Sequence, residues 1–557
     1  MKSYSAVGAG VWVVGLALLS AGISQAAEPQ FRRLAVKDYR DKMQAGWIGQ
    51  IAGVSLGGPT EFRWRGQIIP ADQMPRWQPK MINDAFAQDD IYVEMTFLRT
   101  LEEYGIDASI RQAGVDFANS RYGLWCANLA GRNNLRAGIA PPDSGHPQFN
   151  KCPNDIDYQI EADFSGLIAP GLPNAAIALG EKFGRLMNYG DGMYAGQFMG
   201  ALYSAAFFGT DPQKLCEEAV KAIPAESQYA EMVRDLVAWH RADPADWQKT
   251  WRSAVAKYRN DPAYQKASNG DIDCKINGAC VLLGLLYGER DLDKTMEIAC
   301  RAGYDSDCNP SSAAGVLFTT IGFAKLPDRF TRELDTKQKF SFTSYNVPAL
   351  IDACEKLARQ IVVKYGGKIV TENGEEFFLL PVEAAKPSQL ELSWAPGPIA
   401  QSRFTAEEMA KITIPSIEKQ AAVRFPGWSL THCGSDMEPG ICEEYNGKTN
   451  VFMTHPKDQQ TGAVLTNTAT IPAGKKTTLH IVVGHHPGGD FDLIVRVRDK
   501  ETLRRPIGQA TSVGGWTTID QDLTAFAGQN IKIELVNQPT GWSWEAAYWA
   551  DIALLSE

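Results

Sequence analysis

Gly303-Tyr304-Asp305-Ser306-Asp307-Cys308-Asn309-Pro310-Ser311-Ser312-Ala313-Ala314-Gly315 is the stretch on which the reading of this chain turns. Two carboxylates one residue apart stand where a helical pattern, Met296 to Ala302, stops. A small-residue run that predicts a new helix, Ser311 to Ala324, follows directly. Aspartates at such a junction do one of two jobs. They cap the free N–H groups of the first turn, or they bind a hard cation through oxygen. An EF-hand loop starting at Asp305 is excluded, because it needs Gly where Pro310 stands and Glu where Val316 stands. Taken alone, the stretch leaves both jobs open.

Outward from it, helical periodicity runs from about Asp38 to Tyr365. Val36–Val54, Asp89–Tyr104, Ala175–Leu186, Tyr194–Phe208, Asp211–Ala222, Ser227–Arg241 and Ala279–Tyr287 place apolar residues at three- and four-residue intervals. Gly and Ala inside these segments, as in Gly196-Gln-Phe-Met-Gly200-Ala201, allow helix backbones to approach closely. The long polar loop Ala140–Asp163 has the character of a functional segment. Near Gly366 the period changes. Asn373-Gly374 between apolar runs signals a hairpin, and Ala384–Ala400, rich in Pro, Ala and Ser, reads as a linker. Beyond it Thr477–Val483, Phe491–Val497, Trp516–Ile519 and Ile531–Val536 are β-patterned and separated by turn residues. The expected architecture is an all-α domain over residues 28–365, a hairpin and linker over 366–400, and a β-sandwich of jelly-roll type over 401–557.

With 557 residues the chain exceeds a single core, and 44% apolar with 22% charged residues is ordinary for a globular protein. The net charge of −10 argues against nucleic acid as a partner. Lys2, the apolar run Val7–Leu19 and small residues ending at Ala26 have the layout of a cleaved signal peptide over residues 1–26. The expected location is therefore secreted or periplasmic, with no membrane anchor. Export permits disulfides. Cys433 with Cys442, and Cys126 with Cys152, bracket irregular segments, whereas the other six cysteines lie in helical surroundings suited equally to free thiols. No feature specifies an oligomer.

Three acidic clusters stand out in the helical part. Glu61 ends Gly57-Gly-Pro-Thr-Glu61-Phe, Gln88-Asp89-Asp90 opens a helix, and Asp305-Ser-Asp307 is the opening stretch. Acidic residues at helix starts also serve as electrostatic caps. In order and surroundings, however, the three resemble the signatures of the ADP-ribosylglycohydrolase family, over roughly Tyr39 to Pro327. Glu161-Ala-Asp163-Phe-Ser-Gly-Leu-Ile-Ala-Pro170 and the helix from Asp191-Gly192 are also similar to family features.

The resemblance implies an all-α domain holding two Mg²⁺ ions, with Mn²⁺ as a substitute, at the mouth of a cleft. Asp89, Asp90, Asp305 and Asp307 would be ligands, with Glu61 beside them. The positions of Gln88 and Cys308 carry Thr in the family pattern. Gln88 keeps an oxygen donor, whereas the Cys308 thiol is soft and a poor Mg²⁺ ligand. A glycosidase needs a proton donor and a base. Glu61 is the candidate for water activation or substrate positioning, and Glu161 or Asp163 for proton donation. Glu94, one turn after Asp90, reads as a supporting or surface group.

Trp516–Gln529 and Gly541–Ile552 are similar to galactose-binding-like jelly rolls. Trp516 and Trp549 read as core residues, and Trp542 and Trp544, in a turn, as exposed candidates for carbohydrate contact. His485-His486 lacks a third metal ligand. The expected function is a Mg²⁺-dependent hydrolase of a glycan or a ribosylated small molecule. The alternatives are a non-catalytic carbohydrate- or ADP-ribose-binding protein on the same fold and, least favoured, a cell-surface adhesion protein.

Overall fold

Gly46, Gly49, Gly53 and Gly57 recur at three- and four-residue intervals along one face of the helix Val36–Gly57, and that spacing organises the N-terminal domain. A Cβ at these positions would meet Thr319 Oγ1 at 2.4 Å, the Ala314 carbonyl oxygen at 2.4 Å, the Pro310 carbonyl oxygen at 2.2 Å and the Ser306 carbonyl oxygen at 2.1 Å. The helix therefore lies backbone against backbone on the helix Cys308–Ile321. Only residues without a side chain allow that approach. This crossing brings the Glu61 end of the first helix to the start of the second.

The computed structural model describes residues 30–434 and 436–557, besides positions 1 and 8. The expected signal peptide, residues 1–26, otherwise lies outside the described residues. Around the central pair pack the helices Asp89–Tyr104, Cys126–Arg136, Asp191–Ala206, Cys274–Tyr287, Leu292–Arg301 and Val347–Lys364, with several shorter ones. The helix expected from Ser311 starts three residues earlier, at Cys308. Pro310 is accommodated because a first-turn residue has no intrahelical partner for an N–H. No helix among the described residues is long and apolar enough to cross a membrane.

Asn373 and Gly374 both have positive φ, 52° and 81°, as a two-residue turn of the primed type requires. They join Lys368–Glu372 to Glu375–Pro381. A strand that periodicity does not reveal, Phe31–Ala35, pairs antiparallel with the free edge of Glu375–Pro381. The resulting sheet packs Phe378 against Tyr39, ring centroids 5.3 Å apart. The segment expected as a linker is irregular but not free. Tyr194 donates to the Gln389 carbonyl (2.6 Å), Arg185 pairs with Glu391 (2.9 Å), and buried Ser393 donates to Asn154 (2.6 Å). It is a strap along the helical domain, fixed by polar contacts that composition alone does not reveal.

The C-terminal part is a sandwich of two antiparallel five-stranded sheets. One runs in the order Lys500–Ile507, Phe491–Val497, Asn530–Gln538, Ala463–Thr470, Trp428–Thr431, and the other Trp516–Asp522, Thr477–His485, Ala547–Ser556, Lys448–Thr454, Gly440–Tyr445. Alternating inward residues, among them Leu479, Ile481, Val483, Leu493, Val495, Ile533 and Leu535, fill the space between them. Trp549 is part of that core and donates its Nε1–H to Thr454 Oγ1 at 2.9 Å. Trp516 is half-buried at an edge.

All ten cysteines are free thiols, so neither bracketing pair forms the disulfide that export would permit. Cys433 bridges to Pro456, whereas Cys442 pairs with Val451 in a neighbouring strand.

Candidate active site

Two left-handed residues in succession, Gly303 (φ 79°) and Tyr304 (φ 62°), turn the chain between the helices Leu292–Arg301 and Cys308–Ile321. Tyr304 is held there by its N–H to the Trp64 carbonyl (3.1 Å) and its carbonyl to the Phe62 N–H (3.3 Å). The Thr60 and Ser306 hydroxyls add a bond of 2.8 Å. The Glu61 loop and the Asp305 loop are thus stitched together. On the other side, the Asp305 N–H and the Asn309 amide both donate to Asn277 Oδ1, at 3.2 and 3.1 Å. Asp307 occupies the N-cap position of the following helix but makes no side-chain cap hydrogen bond. Capping does not explain it.

The cleft so formed has a volume of about 680 Å³. Of the residues singled out in the sequence, Glu61, Gln88, Asp89, Glu161, Asp305, Asp307 and Cys308 line it. Ligand atoms of Glu61, Asp305 and Asp307 lie within 4.8 Å of one another, as do those of Asp90, Asp307 and Cys308. Asp90 is buried beside the lining, and Asp307 belongs to both triads. Both carboxylate oxygens of Asp90 and one each of Asp305 and Asp307 are buried without a hydrogen-bond partner among the described residues. Gln88 ends the preceding turn, its amide nitrogen beside Gly58.

Burial first, and then mutual charge, favours the protonated forms of these carboxylates. Desolvation, then the charge of Asp307, raises Asp89 to about 6 and contributes to raising Asp90 well above the usual range. Glu61, exposed at the rim, rises to about 7 through partial desolvation and the charges of Asp307 and Asp89. Asp305 and Asp307 are raised chiefly by burial. Unpartnered buried carboxylates are costly. A divalent cation would satisfy them. The oxygen donors of Asp89, Asp90, Asp305, Asp307 and Glu61, with the Gln88 amide oxygen within reach, fit Mg²⁺ or Mn²⁺. Only the Cys308 thiol is out of character for such a set.

A second acidic group shares the cleft. Glu161 Oε1 accepts a hydrogen bond from the Asn128 amide, and Oε2 has no partner. Burial, followed by the charge of Asp157, keeps Glu161 protonated well above the usual carboxylate range. Asp157 accepts the Asn128 N–H at 3.0 Å and is raised to about 7, first by burial. Asp157, Asn128, Asn269, Trp125 and Tyr92, which belong to no motif of the sequence, also line the cleft. The acid-rich loop Ala140–Asp163 was the available signal for Asp157. The others sit on a helix start or interior with no local mark.

The structure places Asp163, a candidate proton donor, away from the cleft. It faces the helical core, where it accepts from Tyr203 (2.8 Å) and Ser312 (3.3 Å), and it is not part of the cleft lining. The Asp163–Leu167 helix turns its first residue inward. Glu94 is fully buried behind the site and accepts the Phe164 N–H at 2.8 Å. In the sandwich, Trp542 and Trp544 are 36% and 51% exposed. One face of Trp544 is stacked on His486, centroids 4.5 Å apart, and Trp542 meets His455 edge-on.

Comparison with known proteins matches the family model for ADP-ribosylglycohydrolase to residues 35–366. A solved structure titled "ADP-ribosylglycohydrolase-related protein complex" is similar at 14% identity and TM-score 0.38, covering 58% of this chain and 99% of its own. A structure of CBM35 from Paenibacillus barcinonensis is similar at 16% identity and TM-score 0.18, covering 24% of this chain and 94% of its own. A search of curated proteins found no match.

Proposed function

The chain belongs to the ADP-ribosylglycohydrolase family, matched over residues 35–366, and from that premise we propose an exported, metal-dependent glycoside hydrolase. Members of the family are generally hydrolases acting on glycosyl bonds. The proposed substrate is a ribosyl or furanosyl-type glycoside, or another glycan. The observation that carries the proposal is the set of unpartnered buried oxygens on Asp90, Asp305 and Asp307 beside a cleft that also holds Glu61 and Glu161.

Asp89, Asp90, Asp305 and Asp307, with the Gln88 oxygen, would hold two divalent ions, and Glu61 stands beside them. When bound, such ions neutralise the carboxylates, orient vicinal hydroxyls and make a coordinated water more acidic. Glu161 is the proton donor. Burial favours its protonated form, and Asn128 holds Oε1 and so fixes the direction of the acid. As the glycosidic C–O bond breaks, that proton passes to the leaving oxygen. Glu61 takes the proton of the water whose oxygen joins the anomeric carbon. Asp157 holds the start of the Cys126–Arg136 helix, and with it Asn128, beside Glu161.

Export rests on the character of residues 1–26, and carbohydrate binding by the sandwich rests on the exposed Trp542 and Trp544. The Cys308 thiol favours a second reading, a carbohydrate- or ADP-ribose-binding protein without turnover. Screening furanosides, polysaccharides and ADP-ribosyl compounds, each with Mg²⁺ or EDTA, separates the two. Metal-dependent product release supports the hydrolase. Binding without release in any metal supports the second reading.

A further inference from the structure

One side chain of the sandwich reaches the helical domain next to the cleft. Glu438 lies in the loop before the strand Gly440–Tyr445. Its Oε1 accepts the Leu124 backbone N–H at 2.8 Å and an Arg132 guanidinium N–H at 3.1 Å. Leu124, Trp125 and Cys126 all line the cleft. Trp125 precedes the helix Cys126–Arg136 and is 60% exposed, one of the larger apolar surfaces on the helical domain. Its indole and the Glu438 carboxylate flank the same glycine. A Cβ at Gly123 would lie 3.4 Å from Trp125 Cη2 and 3.7 Å from Glu438 Oε2.

We propose that the sandwich completes the cleft, with Glu438 holding the Leu124–Cys126 turn so that Trp125 stands at the mouth as a platform for the ring of the leaving group. The assignment to the leaving-group side follows from the helix that Trp125 begins. Three residues on, Asn128 orients the Glu161 carboxyl, so an oxygen protonated by Glu161 carries its substituent toward this end of the cleft. A flat indole face stacks on planar or sugar rings. Arg132 is buried and already bound to the Tyr122 carbonyl at 2.7 Å, so it anchors Glu438 from below. The pair itself is half-open to solvent, 42% on the Glu438 side, and contributes little stability. What Glu438 supplies is direction, because no other side chain accepts the Leu124 N–H among the described residues. Glu438 is therefore a positioning residue, and its place in the sandwich couples the two domains at the substrate.

The platform rests on the hydrolase reading, but its test does not depend on turnover. Full-length Glu438→Ala, Glu438→Gln and Trp125→Ala are compared with the parent by hydrogen exchange and by calorimetric titration with 4-nitrophenyl and methyl β-D-ribofuranosides. Glu438→Ala speeds exchange in the peptide spanning residues 121–128, with melting temperature unchanged. Glu438→Gln, whose amide oxygen still accepts the Leu124 N–H, restores protection. Both Glu438→Ala and Trp125→Ala weaken binding of the nitrophenyl probe about fivefold, the scale of one aromatic contact, and leave the methyl probe unaffected. Where hydrolysis is measurable, the loss falls on KM and not on kcat. Unchanged exchange at 121–128 in Glu438→Ala, or acceleration spread over the whole helical domain, overturns the strut. Equal weakening of both probes, or a parent chain that binds neither, overturns the platform. Binding without hydrolysis counts against the hydrolase reading alone.

Discussion

Asp90 and Asp307 bring carboxylate oxygens within 4.8 Å of each other, although they begin two different helices. Among the described residues, no Lys, Arg or His pairs with either. Among the same residues, Asp90 has no hydrogen-bond partner on either oxygen, and Asp307 has one oxygen unpartnered. In water two such groups would separate. Here the crossing of Val36–Gly57 over Cys308–Ile321 and the placement of Asp89–Tyr104 hold them together. That forced proximity is the physical content of the proposed metal centre.

Asp307→Asn removes the group common to both triads. Loss of one member from a buried charge cluster weakens divalent-ion binding about a hundredfold, or about 3 kcal/mol. The same change relieves repulsion on Asp90, so the metal-free variant melts higher than the metal-free parent. Titration of EDTA-stripped protein with Mg²⁺ and Mn²⁺ measures the first effect and calorimetric melting the second. Parent-like binding heat in the variant contradicts the assignment.

Stability of the metal-free protein falls as pH rises. Asp89 and Glu61 have folded-state values of about 6 and about 7, above their ordinary values of 3.8 and 4.5. The native state therefore binds more protons between roughly pH 4 and pH 7, and stability declines across that window as the carboxylates ionise. Mg²⁺ offsets the repulsion, so its stabilisation is greater at pH 7.5 than at pH 5. Melting temperatures in EDTA and in Mg²⁺ across this range provide the measurement. A metal-free melting temperature that climbs from pH 5 to 7.5 would sink the explanation.

Cys308→Thr replaces a soft donor by a hydroxyl oxygen within the Asp90–Asp307 triad. Selectivity shifts toward Mg²⁺ and away from Zn²⁺ and Cd²⁺, because thiolate favours softer ions. Competition titrations read the change in ratio. An unchanged ratio means that the thiol does not face the bound ion.

Glu161→Gln keeps an acceptor for the Asn128 amide but has no acidic proton. Turnover falls by about 10² to 10⁴, the usual contribution of general acid catalysis, with folding retained. The loss is smaller for substrates whose leaving group needs no protonation. Asp163→Asn behaves oppositely. It preserves acceptors for Tyr203 and Ser312, so kcat stays near that of the parent. If Asp163→Asn is the more damaging of the two, the proton donor has been misassigned.

Gly53→Ala places a methyl 2.2 Å from the Pro310 carbonyl oxygen. Overpacking of this kind costs about 1–3 kcal/mol, and here it separates Glu61 from Asp305 and Asp307. Both melting temperature and metal affinity drop. A variant with normal affinity would show that the helix crossing does not set the site.

Much of the acidic lining of the cleft is legible in the chain because its members carry local marks. Asp89-Asp90 and Asp305-x-Asp307 fall at helix starts, and Glu61 follows a glycine-rich helix end. Asn373-Gly374 gave the hairpin for an equally local reason, since that pair accepts positive φ. Glu161 and Asp163 show the limit. They are two residues apart, alike in chemistry, and adjacent to the same loop. One lines the cleft and the other bonds to Tyr203 in the core. The Asp163–Leu167 helix rotates its side chain away, and nothing within the segment says so.

The sequence by itself determined the fold class, the two-domain order and the family, because periodicity and short acidic signatures depend on neighbours along the chain. Only the tertiary structure decided which carboxylates share one cleft and that Asp157 and Asn128 belong beside Glu161. It also pairs Phe31–Ala35 with a hairpin from the far end of the helical domain and brings Glu438 of the sandwich to the turn carrying Trp125. Each of these depends on what a face is buried against. A pattern of buried positions fixes the face and leaves the partner to packing.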